Sequence, residues 1–321
     1  MRLTLKSLVI FILIGVALWG FSFGIEKLRR IPTEPKKLAW APELSVIHTD
    51  LDGVGVRYLK AGSGPTLVLF HTLRTQLDIF QNMIPDLAQH FTVYAVDYPG
   101  HGWSDVPDAR YHPDDFYRWA EKFLNKIDVK DATVAGISIG GTIVLELAGR
   151  QNPRIAKVVS INPFDYDDTF SSGLKGSSFF ARMMFTATSI PFIGDTFMRL
   201  RNPVVERRIF EGGVADPGAL SDELFKEFAT VGNRPGHYQA FLKLLRERHH
   251  WKLAHANYPK ITVPTLLIYG RQDWASEKDR ANTRDLIPGV RLMTVENGGH
   301  FLSLDQPREL NQHIVSFAEE N

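Results

Sequence analysis

Apolar and polar positions along this chain repeat with two different periods. From Leu44 the stretch SVIHTDLDG alternates and stops at Asp52-Gly53, and VGVRYLKAG resumes the alternation, which predicts a β-hairpin. Short apolar runs follow at Thr66–His71, Phe91–Val96, Ala132–Ile137, 155–162, 265–270 and 290–297. Runs of that length, bounded by turn residues, suit strands covered on both faces. Between them the period becomes helical. Leu77, Phe80, Met83, Ile84 and Leu87 predict a helix over 75–89, and His112-Pro113-Asp114-Asp115 opens another that ends near Lys126. ATVAGISIGGTIVLEL passes from strand to helix at Ser138, and a final helix covers 306–319. Strand and helix in quick alternation predict an α/β fold: a mostly parallel eight-stranded sheet with helices on both faces.

Two stretches depart from this rhythm. Residues 7–25 carry no charge, with Arg2 and Lys6 before them and Glu26, Lys27, Arg29 and Arg30 after. At about 1.5 Å per residue such a helix spans a hydrocarbon core of roughly 30 Å. The expectation is a single-pass N-terminal transmembrane helix that holds the protein at a membrane; a signal peptide, cleaved to leave a secreted or periplasmic protein, is the alternative. Pro32, Pro35 and Pro42 with Lys36 and Lys37 then form a linker that cannot be helical throughout. The second departure runs from Phe164 to His255. It is rich in Phe, Met and Arg, shows helical spacing at Phe179, Phe180, Met183 and Met184, and lacks strand patterns. It reads as a helical insertion over the sheet edge, with a loop at Ser171–Ser178 that suits a lid hinge or an ordinary surface loop. The chain therefore divides into 1–40 (anchor and linker), 41–163 (first half of the core), 164–255 (helical cap) and 256–321 (second half of the core).

Composition narrows the chemistry. A net charge of +1 creates no field for nucleic acid. Without cysteine there are no disulfides, no thiolate metal sites and no thiol nucleophile. Three side chains at the ends of apolar runs remain. Ser138 stands in Gly136-x-Ser138-x-Gly140, where a strand that turns directly into a helix would lift its hydroxyl above the sheet edge. A serine hydroxyl needs a base within reach and an acid to orient that base. Asp273 follows the run 265–270 in GRQD, and His300 follows the last run in GGHF. Asp165 is an alternative acid, after the run 155–162. His101 reads as structural, and His249, His250 and His255 lack the spacing of a metal site.

With GISIGG, DYPGHGWS, GRQD and GGHF in this order, the chain resembles the α/β-hydrolase fold superfamily over about residues 50–319. The resemblance implies Ser138 as nucleophile, His300 as general base and acid, and Asp273 as the residue that fixes the imidazole tautomer. It implies an oxyanion hole from the amides of Ile139 and Leu73. Relatives usually carry His-Gly where this chain reads His71-Thr72, so the path of that loop departs from the pattern. His71, Arg74, Phe164 and Phe301 are the expected substrate-binding residues. Relatives that are dehalogenases or epoxide hydrolases carry Asp at the nucleophile position, so serine points to acyl transfer on a carboxylic ester, acyl- or lipid-derived. Thioesters, lactones and C–C substrates, or transfer to another acceptor, use the same triad, and a non-catalytic binding module is the rival class. No cofactor or metal is implied.

Overall fold

The computed structural model of the protein describes residues 5–166, 186–188 and 190–320. The hairpin forms as the alternation predicts: β1 (Val46–Asp50) pairs antiparallel with β2 (Gly55–Ala61). β3 (Thr66–Phe70), β4 (Thr92–Val96), β5 (Ala132–Ile137), β6 (Ile155–Ile161), β7 (Thr265–Gly270) and β8 (Arg291–Val295) complete one sheet, in the order β1-β2-β4-β3-β5-β6-β7-β8. The sheet is mixed, because β2 also meets β4 antiparallel, while every pairing from β4 to β8 is parallel. β5 and β7 are buried at every position, as strands covered on both faces must be, whereas the edge strand β8 is mostly open.

The helices of the core are α2 (Ile84–Leu87), α3 (Pro113–Lys126), α4 (Ile139–Gly149), α9 (Glu277–Leu286), α10 (Leu302–Asp305) and α11 (Pro307–Glu319). The start of α3 explains its position in the sequence. His112 accepts from the Asp114 amide while the Asp115 carboxylate accepts from the His112 amide, so two N-terminal donors are satisfied reciprocally. The helix expected over 75–89 does not form as one piece. A 3-10 turn at Leu77–Phe80 and the single turn of α2 take its place. The Asp97 carboxylate accepts from the Leu77 amide at 2.7 Å and fixes where the turn begins, and Pro85 has no N–H with which to carry a helix through.

Between β6 and β7 the described chain runs through α5 (Ile193–Arg199), α6 (Pro203–Glu211), α7 (Asp222–Val231) and α8 (His237–Arg246). The loop Ser171–Ser178 and the Phe179, Phe180, Met183 and Met184 pattern lie outside the described residues.

The N-terminal expectation needs correction. A helix does form, α1 (Leu5–Leu28), yet among the described residues no helix is long and apolar enough to cross a membrane. Lys6 and Ser7 at one end and Glu26 and Lys27 at the other shorten its apolar part, and Gly15, Gly20, Ser22 and Gly24 dilute the rest. Its last turns are instead fastened to the α5–α6 junction. Arg201 donates to the Glu26 carboxylate at 2.7 Å, Arg29 donates to the Arg199 and Arg201 carbonyls at 2.8 and 2.9 Å, and the Arg199 guanidinium lies 3.6 Å over the Phe23 ring. The proline-containing segment that follows also rests on the core, with Leu38 and Ala41 buried and the Trp40 indole donating to Asp78 at 2.8 Å.

Candidate active site

β5 ends at Ile137, and Ser138 takes φ 58° and ψ −118° before α4 begins. A side chain at such positive φ is strained by roughly 1–3 kcal/mol and persists only where its surroundings enforce it. Here they do so sterically. A Cβ at Gly136 would lie 2.2 Å from the Gly140 carbonyl oxygen, and one at Gly140 would lie 2.2 Å from the Phe70 carbonyl oxygen. Glycine on both sides is thus what lets strand, turn and helix close on one another. The Ser138 amide donates to Ile161 and its carbonyl accepts from the Phe164 amide, which locks the turn between β6 and the chain that leaves it.

His300 Nε2 lies 2.9 Å from Ser138 Oγ, and His300 Nδ1 lies 2.5 Å from Asp273 Oδ1. All three side chains are buried. The second Asp273 oxygen accepts from the Ala275 amide at 3.0 Å, so the carboxylate is held at both ends. Asp165 faces elsewhere: it accepts from Tyr258 and Thr283 at 3.0 Å each and meets His255 Nε2 at 3.3 Å. The acid beside the imidazole is Asp273.

The loop after β3 follows a path that the sequence left open. Thr72 keeps an ordinary φ; the left-handed residue is Arg74, at φ 61°. Thr75 closes the turn by donating its amide and hydroxyl to the Thr72 carbonyl at 3.4 and 2.9 Å. His71 pins the loop from beneath. Its Nδ1 hydrogen bonds to the Thr72 carbonyl at 2.7 Å, and its Nε2 accepts from the Tyr98 amide at 3.2 Å, which defines an Nδ1–H tautomer. Burial holds the His71 pKa down to about 3, so the ring stays neutral. With both nitrogens spent, His71 is buried and positions backbone. Leu73 is brought to the cavity wall, and Ile139, at the first turn of α4, has an N–H without a partner one turn back.

Arg74 is neither solvated nor free. It donates to Glu206 of α6 at 2.5 Å and its guanidinium lies 5.1 Å from the centre of the Phe241 ring. Together with Leu73, Trp274, Phe301 and residues of α5, α6 and α8, it lines a cavity of about 280 Å³ whose wall is almost wholly apolar. Phe301 is therefore at the cavity; Phe164 packs edge-on against Tyr166 and, like His71, Ser138 and His300, lies outside this lining, which meets the triad through Trp274 and Phe301.

Three residues that sequence reasoning did not single out hold the site. Asn162, just past β6, donates to the Gly299 and His300 carbonyls at 2.9 and 3.0 Å and accepts from the Gly270 amide at 2.9 Å. It thereby ties the loop that carries Asp273 to the loop that carries His300. The Trp274 ring stacks on the His300 imidazole, with centroids 3.8 Å apart and an interplanar angle of 11°. Asp305 accepts from the Gly299 amide at 2.8 Å and from Ala215 at 3.0 Å, linking the His300 loop to the chain beyond α6; burial pushes its carboxyl pKa up. The signals were present only as residue types: a polar residue at a strand end, and an aromatic beside the acid.

The remaining histidines sort by position. His101 and His237 are buried near His71, at ring separations of 5.6 Å (His71–His101) and 6.2 Å (His101–His237), and burial lowers the pKa of each, to about 3 for His101. His250 meets His112 and Glu247, three potential ligand atoms within 4.8 Å of one another.

A family model described as the alpha/beta hydrolase fold matches residues 65–307. The chain is 27% identical over 308 residues to a haloalkane dehalogenase of Mesorhizobium japonicum, which covers 89% of this chain and 94% of that protein. It is 24% identical over 266 residues to carboxylesterase YbfK of Bacillus subtilis, covering 79% and 80% respectively. Among solved structures, Cfl2 from Burkholderia cenocepacia aligns with a TM-score of 0.79 at 17% identity, over 89% of this chain and 99% of the other, a likeness of fold alone.

Proposed function

The chain belongs to the α/β-hydrolase fold family, and on that premise we propose that it is a serine hydrolase that cleaves a carboxylic ester with an apolar acyl part. The observation that carries this reading is the unbroken hydrogen-bonded series from Ser138 Oγ through His300 to Asp273, at 2.9 and 2.5 Å. His300 Nε2 takes the proton as Ser138 Oγ attacks the ester carbonyl, and Asp273 holds the other ring nitrogen and stabilises the imidazolium that forms. The amides of Ile139 and Leu73 receive the oxyanion. The alcohol leaves with the proton from His300, an acyl-enzyme remains, and water activated by the same imidazole releases the acid.

The choice of ester over alkyl halide rests on residue 138. A hydroxyl paired with an imidazole suits attack at a trigonal carbonyl, where negative charge collects on an oxygen that amides can bind. Displacement at a saturated carbon develops no such oxyanion. The apolar cavity favours a hydrocarbon acyl part over a charged one.

The test is release of p-nitrophenol from p-nitrophenyl butyrate by the purified chain. Wild type turns the ester over, and Ser138→Ala lowers kcat/KM by about 10⁴-fold or more with an unchanged thermal transition. A folded wild type with no turnover, or a Ser138→Ala variant that keeps it, contradicts the reading.

A further inference from the structure

A second apolar space adjoins the cavity beside the candidate site. Phe197 and Leu200, which form part of the cavity wall, are shared with this more open groove of about 710 Å³. The opposite side of that groove is α1: Gly15, Val16, Leu18 and Trp19 face Phe192, Ile193, Thr196 and Phe197 across it. Apart from Thr196, every described side chain there is apolar or absent. Several are also left open to water, Phe192 at 71%, Ile193 at 53% and Trp19 at 40% exposure, which is costly for large apolar groups in contact with one another.

We propose that the groove between α1 and α5 is the distal half of an acyl-chain subsite, so that the N-terminal helix is a wall of the substrate-binding site. The ligand class is an unbranched acyl chain of medium to long length. Its carbonyl end sits at Ser138, its proximal methylenes fill the 280 Å³ cavity between Leu73, Trp274 and Phe301, and its tail passes Phe197 and Leu200 into the groove. Three features argue for this occupant. The two spaces adjoin, with Phe197 and Leu200 in the walls of both. The groove offers a tail no polar partner apart from the hydroxyl of Thr196, and in the cavity wall the charges of Arg74 and Arg201 are already paired with Glu206 and Glu26, which suits methylenes. Finally, α1 is fixed in place: the Glu26–Arg201 pair, the Arg29 bonds to the Arg199 and Arg201 carbonyls and the Arg199–Phe23 stack hold it against the end of α5, so the groove has a definite width. Each methylene that leaves water for such a wall contributes about fourfold in affinity.

The inference rests on the ester-hydrolase reading for its kinetic arm, and a binding arm separates the two. The kinetic arm compares kcat/KM for p-nitrophenyl esters from butyrate to dodecanoate, using the full chain and a Gly15→Trp variant. A Cβ at Gly15 meets nothing within 4 Å, so the indole can enter the groove without displacing backbone. Wild type favours the dodecanoate, and Gly15→Trp lowers the dodecanoate-to-butyrate ratio by about tenfold or more, the effect of two or more displaced methylenes. The binding arm measures sodium dodecanoate by isothermal titration with Ser138→Ala, alone and with Gly15→Trp added. Saturable binding that Gly15→Trp weakens by a similar factor supports the subsite even where no ester is hydrolysed, an outcome that would sink the ester reading alone. Ester turnover with no preference for length, or a ratio that Gly15→Trp leaves unchanged, overturns the subsite and leaves the hydrolase reading standing. A shift from dimer to monomer on Gly15→Trp, with binding intact, would make the groove an interface between copies and overturn it too.

Discussion

The floor and the roof of this site are built by different means. The floor is backbone. At Ser138 the strand, the turn and the helix approach so closely that a single added carbon at Gly136 or Gly140 would lie 2.2 Å from a carbonyl oxygen. The loops that bring Asp273 and His300 are tied at their main-chain groups by one buried side-chain amide, that of Asn162. The roof is held mostly by side chains. α6 reaches the core through Arg74–Glu206 and, just past its end, through the Trp274 indole and Phe301 amide on the Gly212 and Gly213 carbonyls, and α1 reaches the α5–α6 junction through Glu26–Arg201 and a stacked Arg199. A floor of that kind permits one geometry. A roof of ion pairs and apolar walls can be altered without moving backbone, so under the proposed function the chemistry belongs to the first and the choice of substrate to the second.

That contrast breaks most visibly in the floor. Asn162→Ala removes three hydrogen bonds that position the Asp273 and His300 loops without touching either side chain, and the freed carbonyls and amide are buried. We expect kcat to fall by about 10- to 100-fold with KM within twofold, as for misplacement of a catalytic group by less than an ångström. Steady-state kinetics on a short ester read the split. A large rise in KM at constant kcat would mean that Asn162 serves the substrate pocket, and the floor would lose its distinction from the roof.

The seam between the two is sharpened by pH. His71 and His101 from the core and His237 from α8 are buried together, and burial depresses the pKa of each, to about 3 for the first two. Their unfolded values lie near 6.5. Groups whose folded pKa is depressed contribute stability that is complete above the unfolded value and is lost as pH falls toward the folded one. The melting temperature is therefore expected to hold above about pH 6.5 and to decline steadily below it. His101→Phe, which keeps an aromatic ring beside Tyr98 and Phe116, should reduce the slope. A flat profile between pH 7 and 5 would show that water reaches this seam.

The parts of the molecule legible in the sequence are those set by local spacing. The strand runs, the glycines around Ser138 and the positions of Asp273 and His300 just past strand ends are all short-range patterns, and the three side chains do converge. What the sequence did not disclose depends on partners far along the chain. Asn162 meets Gly299 and His300 more than 130 residues away. His71 looks like a ligand-facing residue until Tyr98 and Thr72 are seen to occupy both of its nitrogens. Arg74 looks like a substrate-binding cation until Glu206 arrives from α6 to pair with it. The uncharged N-terminal run is the sharpest case. Hydrophobicity does not record which partner a helix takes, and here α1 meets α5 and is bound through its polar last turns while many of its apolar side chains stay exposed. The broken helix at 75–89 has the same origin, because Asp97 recruits the Leu77 amide from a distant strand end.

The central claim is that Ser138 is a nucleophile activated by His300 and oriented by Asp273. It is tested most directly by exposing the full chain to a fluorophosphonate probe and locating the adduct by peptide mass spectrometry. The account predicts one adduct, on the peptide that contains Ser138, labelled rapidly in wild type, slowed by several orders of magnitude in His300→Ala and absent in Ser138→Ala. A well-folded wild type that takes up no probe, or takes it up on another residue, would contradict it.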